Sequence, residues 1–319
     1  MIRTLQSLRF IFVLMVFMSH FAYQGFGFSA FDAGGDCGVA FFFMLSGFVL
    51  SLRYGSQIRE GTFCFGRFMG RRLRKIYPLH LLCLLFFLVV SRSGFDLATL
   101  LNVALLQSWI PDPTYYFSCN SVSWFLSSLL FCYVLFPFAY RRLSAWLTLM
   151  VFSAYLLTYL AVPIDQVNAI LYVHPLVRFV DFYIGMLLGR FYEQGYRVPH
   201  AGWLEWLLAV CLVITLAVYP WVGVKFRNAP HYWMVLIPLL LVFARGEGRL
   251  SSWLRTSPMQ LLASLSLSFY MIHQMTIGIL IHRLPEIPGV LMLFVCILTT
   301  LSVSWLIERF LLPKIEKVI

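Results

Sequence analysis

Long apolar runs, separated by short polar and basic segments, fill almost the whole chain. A helix needs roughly 20 predominantly apolar residues to cross a bilayer. By this measure we predict about ten spanning helices, at about 8–23, 37–54, 76–92, 121–140, 144–162, 172–191, 203–222, 230–244, 259–282 and 289–312. The runs are continuous rather than alternating, which excludes a transmembrane β-barrel. We therefore expect an all-α, polytopic integral membrane protein.

The composition supports a membrane protein over a water-soluble one. Hydrophobic residues make up 61% of the 319 positions and charged residues only 12%, which is about half the charged fraction of soluble domains. No linker, low-complexity segment or convincing internal repeat interrupts the chain. We therefore expect residues 1–319 to form one membrane-embedded domain without a soluble domain.

The basic residues indicate the orientation. Most of the 24 Lys and Arg side chains fall in alternate connections, whereas Arg92, Lys225, Arg227 and Arg283 fall in the opposite set. Because basic connections stay cytoplasmic, we expect both termini to face the cytoplasm and the protein to lie in the cytoplasmic (inner) membrane. The net charge of +11 then reflects topology and contact with membrane lipids. It does not indicate a nucleic-acid partner, which would require a soluble basic domain.

An arginine and a histidine share the first apolar run. In a helix, the eleven steps from Arg9 to His20 bring both onto nearly the same face, about 16 Å apart along the axis. Ionisable groups within a bilayer are costly and usually line a cavity or a proton path. His20 is a candidate general base or transient nucleophile. The alternative is a neutral histidine that bonds a neighbouring helix.

A basic cluster precedes the third predicted span. It contains Arg71, Arg72, Arg74 and Lys75. These side chains could hold phosphate groups, and arginine does so with bidentate geometry. The alternative is a topology anchor that attracts anionic lipid.

Four further ionisable residues are candidates for a substrate site. His273 lies about as deep in the ninth predicted span as His20 does in the first, so the two imidazoles could share a cavity. Arg178 and Asp181 are three residues apart and share one helix face, either as a buried ion pair or facing an acceptor. Asp36, at the outer mouth of the second span, could touch an extracytoplasmic substrate or be a solvated loop acid.

The 93–120 connection and the cysteines permit weaker predictions. Helical spacing from Leu97 to Ser108 predicts an interfacial helix on the outer side. The aromatic residues that follow, including Trp109 and Tyr115, form either a membrane-interface belt or a stacking surface for sugars. The seven cysteines show no metal-ligand spacing, and we predict no metal site. Cys37 and Cys119 fall toward the outer face, where a disulfide could join them.

Several stretches in order along the chain resemble the acyltransferase 3 family, whose members are integral-membrane O-acyltransferases of cell-surface glycans. The stretches are Arg9 with His20, the segment 38–51 with Phe43, Ser46, Gly47 and Phe48, the segment 70–80 with Arg71, Arg74, Tyr77 and Pro78, and the segments 123–137, 175–189 and 267–274. One departure is Leu129, which stands where many members carry a glutamate. Another is that the chain ends soon after the tenth predicted span, so we expect it to lack the soluble esterase-like domain that is fused to some members.

The resemblance implies acyl transfer from cytoplasmic acetyl-CoA to a sugar hydroxyl of an extracytoplasmic or lipid-linked glycan. On this interpretation His20, Arg9 and His273 are catalytic. Arg71, Arg74, Arg72, Lys75, Tyr77 and Ser46 bind the acyl-CoA, and Asp36, Arg178 and Asp181 bind the acceptor. Two other classes remain open. One is a transporter or flippase that uses His20 in a proton relay, and the other is a non-catalytic membrane assembly partner.

Overall fold

Every regular element of the described chain is helical. The computed structural model describes residues 2–24, 32–92, 94–195, 198–228 and 230–315. Its α-helices are α1 (Arg3–Tyr23), α2 (Ala33–Arg59), α3 (Phe65–Ser91), α4 (Leu97–Ala104), α5 (Pro113–Tyr116), α6 (Trp124–Arg141), α7 (Ala145–Ala161), α8 (Pro175–Glu193), α9 (Ala201–Ala217), α10 (Pro230–Arg245), α11 (Arg249–Leu254), α12 (Ser257–Ser264), α13 (Ser266–Arg283), α14 (Gly289–Leu306) and α15 (Leu312–Ile315). Two π-helical segments, Asn168–Val173 and Ile307–Leu311, precede α8 and follow α14. Short 3₁₀ turns lie at Gln107–Trp109, Ser121–Ser123, Ile164–Gln166, Tyr219–Trp221 and Phe226–Asn228.

The helices are those of a multi-pass membrane protein. Within the described ranges, five segments are long and apolar enough to cross a bilayer: Arg3–Ala22, Ala33–Arg59, Phe65–Ser91, Ser121–Arg141 and Gly289–Leu311. The π-helix with α8 and the pair α12–α13 bend by 49° and 61°, and counting each as one span gives seven. The predicted number of ten is not confirmed, because α7 and α9 are apolar but only 17 residues long.

The basic cluster belongs to a helix and not to the loop that we expected. The third span was predicted at 76–92, yet α3 begins at Phe65 and runs without a break to Ser91. Arginine and lysine are good helix formers, so the basic segment extends the apolar helix by about three turns. The cluster is therefore distributed around the surface of a helix, and its members face different neighbours.

Glycines bring α2 and α8 into direct backbone contact. A Cβ atom added at Gly47 would overlap the carbonyl oxygen of Phe182, and one added at Gly185 would overlap that of Met44. Small residues at such positions let helices in a membrane approach closely and gain packing contacts. The resulting α2–α8 pair, with α1 against α2, forms the centre of the bundle.

The connection between α3 and α6 folds back into the bundle. Its first helix, α4, confirms the predicted helical spacing. Near the middle of α3, the Tyr77 hydroxyl donates to the carbonyl oxygen of Val103, and His80 Nε2 donates to that of Asn102 at 2.8 Å. These bonds satisfy carbonyl groups at the end of α4, which would otherwise be unpaired within the bundle.

The returning part of the same connection reaches α13. Asn120 Nδ2 donates to the carbonyl oxygen of Met271 at 2.8 Å, and the Tyr270 hydroxyl donates to that of Val122 at 3.1 Å. The connection therefore supports the middle of α13 from the side. The Cys37 and Cys119 thiols are both free, so the disulfide that the sequence allowed is absent.

Candidate functional site

His20 of α1 and His273 of α13 form a hydrogen-bonded pair in the bundle. His20 Nδ1 lies 2.7 Å from His273 Nε2, and the ring planes differ by 8° with centroids 4.9 Å apart. A nitrogen separation this far below van der Waals contact, about 3.5 Å, places the rings edge to edge rather than face to face. The structure brings the two imidazoles together, as their similar depth predicted, through a direct hydrogen bond rather than across a shared cavity.

A third group fixes the direction of this hydrogen bond. His273 Nδ1 lies 2.6 Å from the carbonyl oxygen of Tyr270, and a carbonyl can only accept. His273 Nδ1 therefore carries the proton, and in a neutral ring Nε2 must accept. His20 Nδ1 then donates, which leaves the lone pair of neutral His20 on Nε2. This order matches the general pattern of a base oriented by a second group.

The two histidines differ in accessibility. His273 is fully buried, and its ring lies near Phe17 and Phe269, with centroid separations of 6.1 and 6.4 Å. His20 is only partly buried. Of the two rings, only that of His20 has exposed surface for a substrate to contact, so His273 can act only through His20.

A cavity of about 370 Å³ lies between α1, α2, α3, α6 and the bent pair α12–α13. Its polar lining comes from Gln6, Arg9, Ser46, Arg72, Lys75, Tyr133, Gln260, Ser264, Ser266, Tyr270 and Glu308. Among these described residues, three basic side chains face a single carboxylate. The Nε atom of Arg72 is buried without a hydrogen-bond partner, and its guanidinium lies about 6 Å from the rings of Tyr54, Phe68 and Tyr133. The cavity is therefore suited to an anionic ligand.

Three aromatic rings line the cavity at the level nearest the histidines. The Phe42, Phe125 and Tyr270 rings have centroids 5.4 to 6.1 Å apart, and Tyr270 also supplies the carbonyl that His273 bonds. Neither histidine lines the cavity. On α1 its lining ends at Val13, seven residues or about 10 Å of helix axis before His20.

The residues predicted to bind the acyl donor do not all lie at one site. Arg72, Lys75 and Ser46 line the cavity, together with Arg9. Arg9 therefore groups with the donor cations and not with the histidines. Arg71 lines a smaller pocket beside the α2–α3 turn, and Arg74 is exposed. Tyr77 lies away from both, because its hydroxyl bonds Val103 of the connection after α4.

Arg178 and Asp181 form a buried ion pair at 2.7 Å. Trp233 Nε1 also donates to the Asp181 carboxylate, at 2.6 Å, and Arg178 donates to the carbonyl oxygens of Tyr172 and Asn228. Both charges are thereby satisfied inside the protein. The pair ties α8 to α10 and to the turn before it, which favours the structural alternative over direct acceptor binding.

Asp36 lies at the opposite end of α2 from the α2–α3 turn. Its carboxylate accepts a hydrogen bond from the Tyr219 hydroxyl at 3.1 Å. Burial and the neighbouring Asp36 carboxylate raise the pKa of Tyr219 above its usual range, so the phenol stays protonated and donates. Arg227 lies over the Tyr219 ring, 4.5 Å from its centroid. This group is thus polar and lies on a different side of the bundle from the cavity cations.

Glu308 is a cavity residue that we did not identify from the sequence. It lies in the π-helical segment after α14, and its carboxylate accepts a hydrogen bond of 2.5 Å from the Ser268 hydroxyl. An acid within the last apolar run was a detectable signal, because ionisable residues in a span are usually functional. Single-turn π-helices are also frequent at functional sites.

Comparison with known proteins identifies the family. The sequence profile of acyltransferase 3, described as an acyltransferase domain, matches residues 2–309. The chain belongs to the acyltransferase 3 family. It is 27% identical over 316 residues to the acyltransferase MdmB of Streptomyces mycarofaciens, an alignment covering 86% of this chain and 78% of that protein. A 46-residue stretch is 48% identical to protein 2 in the picA locus of Rhizobium radiobacter, covering 14% and 24% of the two chains. No solved structure matches the sequence.

Membership in this family gives the site its general chemistry. The protein is a membrane acyltransferase, and it requires an acyl donor and an acceptor substrate. The resemblance of the ordered sequence motifs to the family is thereby confirmed.

Proposed function

We propose that this membrane acyltransferase is an O-acyltransferase, with acetyl as the group transferred. It takes the acyl group from cytoplasmic acyl-CoA and delivers it to a sugar hydroxyl of an extracytoplasmic or lipid-linked glycan. The observation that carries the proposal is the ordered His20–His273–Tyr270 chain beside a cavity with three basic side chains. The His20–His273–Tyr270 chain supplies a base, and the basic side chains supply counter-charges for the phosphate groups of the donor.

The cavity fits the donor in charge and shape. Coenzyme A carries its phosphates at one end and its thioester at the far end of a slender arm. Arg9, Arg72 and Lys75 provide the charges for the phosphates, and the unpartnered Arg72 Nε is a donor that an anion would satisfy. The apolar rings of Phe42, Phe125 and Tyr270 lie further along the cavity. These rings suit the uncharged pantetheine arm, and Tyr270 brings this part of the cavity close to His273, with ring centroids 5.8 Å apart.

The chemistry follows from the free lone pair on His20 Nε2. That nitrogen takes the proton of the sugar hydroxyl while the oxygen attacks the thioester carbonyl carbon. The C–S bond breaks, the thiolate leaves, and the proton on His20 passes to the sulfur. His273 Nε2 accepts the hydrogen bond from His20 Nδ1 throughout and keeps the His20 ring oriented. In the covalent alternative, the same nitrogen first receives the acyl group, and rapid quenching would then trap an acyl-histidine.

The direction of transfer depends on the topology that we predicted. With both termini cytoplasmic and ten spans in the inner membrane, the α2–α3 turn and the cavity cations face the cytoplasm. Asp36 and Tyr219 then lie toward the opposite face, where the glycan acceptor would arrive. Donor and acceptor would thus enter from opposite sides and meet near His20.

Substitution of His20 tests the proposal. His20→Ala should lower acyl transfer by about a hundred- to ten-thousand-fold, which is the usual contribution of a general base. The measurement is the acetyl content of the host's envelope glycans by mass spectrometry, normalised to the amount of folded protein in the membrane. Acetylation of one sugar should be lost both when the gene is deleted and when His20 is replaced by alanine.

His80 provides a matched control for this experiment. It is also a histidine within a long helix, although fully buried, and its Nε2 bonds the carbonyl oxygen of Asn102 and not another ionisable group. His80→Ala should cost about 1 kcal/mol of stability and leave normalised activity within a few-fold of the parent. If His20→Ala behaved like His80→Ala, the catalytic assignment would be wrong.

A further inference from the structure

A second, smaller pocket lies beside the turn between α2 and α3. It has a volume of about 130 Å³, and its polar lining includes Tyr54, Gln57, Thr62, Arg67 and Arg71. Arg67 and Arg71 are four residues apart on α3, so both side chains lie on one face of the helix. The described lining contains two guanidinium groups and no carboxylate. The pocket is therefore positively charged.

Tyr54 gives this pocket an unsatisfied donor. Its side chain is only 2% exposed, and its hydroxyl has no hydrogen-bond partner that could accept its proton. The neighbouring Arg71 guanidinium can only donate to the hydroxyl oxygen. Phe63 and Phe68 pack edge-on against the Tyr54 ring, at centroid distances of 5.9 and 5.2 Å, and fix its position. A buried hydroxyl without a partner is uncommon and costly. An acceptor group from a ligand would satisfy it.

The pocket adjoins the main cavity. Arg72 lines the cavity, and its guanidinium carbon lies 6.0 Å from the centroid of the Tyr54 ring, which lines the pocket. One layer of side chains therefore separates the two spaces. A ligand with anionic groups on two branches can place one in each.

We propose that this pocket is a phosphomonoester site that takes the 3′-phosphate of coenzyme A. This inference rests on the proposed function, because it assumes an acyl-CoA donor. The 3′-phosphate branches from the ribose and is a dianion near neutral pH, whereas the diphosphate belongs to the chain that leads to the thioester. The Arg67 and Arg71 guanidinium groups and the Tyr54 hydroxyl provide charge-assisted donors for the monoester oxygens. Arg9, Arg72 and Lys75 remain for the diphosphate.

Binding of two natural nucleotides tests the site without an acceptor. The purified full-length protein is titrated with coenzyme A and with 3′-dephospho-coenzyme A by calorimetry. Coenzyme A should bind about tenfold more tightly, as expected for hydrogen bonds to a charged group. Arg67→Ala and Tyr54→Phe should weaken the binding of coenzyme A but not that of 3′-dephospho-coenzyme A. The two affinities should then become similar. Tyr54→Phe keeps the ring and its packing, so it removes only the hydroxyl.

Arg59 provides the control for loss of a positive charge. It ends α2 beside the same turn, but its guanidinium is paired with Glu193 at 3.0 Å and donates to the Tyr140 hydroxyl. Arg59→Ala should keep the preference for coenzyme A. If it removed the preference as fully as Arg67→Ala does, general charge rather than this pocket would explain the discrimination, and the proposal would be wrong.

The remaining outcomes separate the pocket from the proposed function. Equal affinity of the parent protein for both nucleotides would overturn the pocket assignment and leave acyl-CoA as donor. Binding of neither nucleotide would overturn both proposals. A lipid with a monoester headgroup shares the same chemistry, so thermal stability is also measured in phosphatidylcholine nanodiscs with and without phosphatidic acid. Stabilisation by phosphatidic acid that Arg67→Ala removes, with nucleotide preference unchanged, would assign the pocket to lipid instead.

Discussion

At His20, the direction of a single hydrogen bond decides which nitrogen can act as a base. His273 imposes that direction, because its own Nδ1 proton is committed to the Tyr270 carbonyl oxygen. His273→Ala should therefore lower the turnover number less than His20→Ala does and leave the KM for acetyl-CoA unchanged. His273→Gln should restore part of the loss, since a side-chain amide oxygen can accept from His20 Nδ1. Initial rates at saturating and limiting donor measure both effects.

A purely structural role for His273 predicts a different pattern. The loss would then follow the amount of folded protein, and normalised turnover would be equal in the Ala and Gln variants and in the parent. A rise in the KM for acetyl-CoA without a fall in turnover would also contradict the positioning role, because it would place His273 in donor binding.

The sequence predicted single residues of this site better than their pairings. Helical spacing put Arg9 and His20 on one face of α1, and similar depth put His273 near His20. Spacing within one helix could not show that Arg9 joins the basic cavity residues of α3, because that grouping depends on how α1 packs. Glu308 could have been noticed as an acid within an apolar run, but its place in the cavity depends on the π-helical turn.

The contact between α2 and α8 depends on the absence of side chains at two positions. A methyl group at Gly47 would meet the backbone carbonyl of Phe182, which cannot move aside as a flexible side chain could. Gly47→Ala should therefore destabilise the protein by about 1–3 kcal/mol, which is typical of overpacking. Thermal unfolding in detergent, followed by tryptophan fluorescence, measures the loss as a lower midpoint temperature.

Gly70 of α3 provides the matched control for Gly47→Ala. It also lies within a long helix, but an added Cβ would have nothing within 4 Å. Gly70→Ala should be neutral or stabilising, by up to about 1 kcal/mol, because alanine has the higher helix propensity. Equal effects at the two glycines would show that helix propensity, and not close packing against α8, determines the effect of Gly47→Ala on stability.

At the element scale, the sequence predicted where helices lie but not where they begin, bend or turn back. Hydrophobicity placed the start of the third span near residue 76, since it does not count a basic helical extension such as 65–75 as part of a span. It also could not show what α4 packs against, because the hydrogen bonds from Tyr77 and His80 that hold α4 beside α3 leave no periodic pattern.

At the scale of the whole molecule, the two ends of the bundle carry different charged groups. The cavity cations and the α2–α3 turn lie toward one end of α2, and Asp36 with Tyr219 lies at the other. This polarity agrees with a donor that enters from one side and an acceptor that enters from the other. Transfer across the membrane therefore depends on which connections face the cytoplasm.

One connection distinguishes ten spans from five or seven, and another fixes the orientation of the protein. Cys64 is exposed in the α2–α3 turn, and Glu286 is exposed between α13 and α14. With a cytoplasmic N-terminus, residue 64 follows the second span and is cytoplasmic. Residue 286 follows the ninth of ten spans and is outside. It would instead follow the sixth of seven spans, or the fourth of five, and would be cytoplasmic.

Labelling with a membrane-impermeant maleimide measures these positions in intact and permeabilised cells. Cys119 and Cys211, the partly buried cysteines, are first replaced by serine. Cys64 should react only after permeabilisation, because the basic residues of α3 hold that end in the cytoplasm. Glu286→Cys, in a background with Cys64→Ser, should react in intact cells. Protection of residue 286 in intact cells would show that α7, α9 and α10 do not all cross the bilayer. Reaction of Cys64 in intact cells would reverse the orientation, and with it the side from which the acyl donor enters.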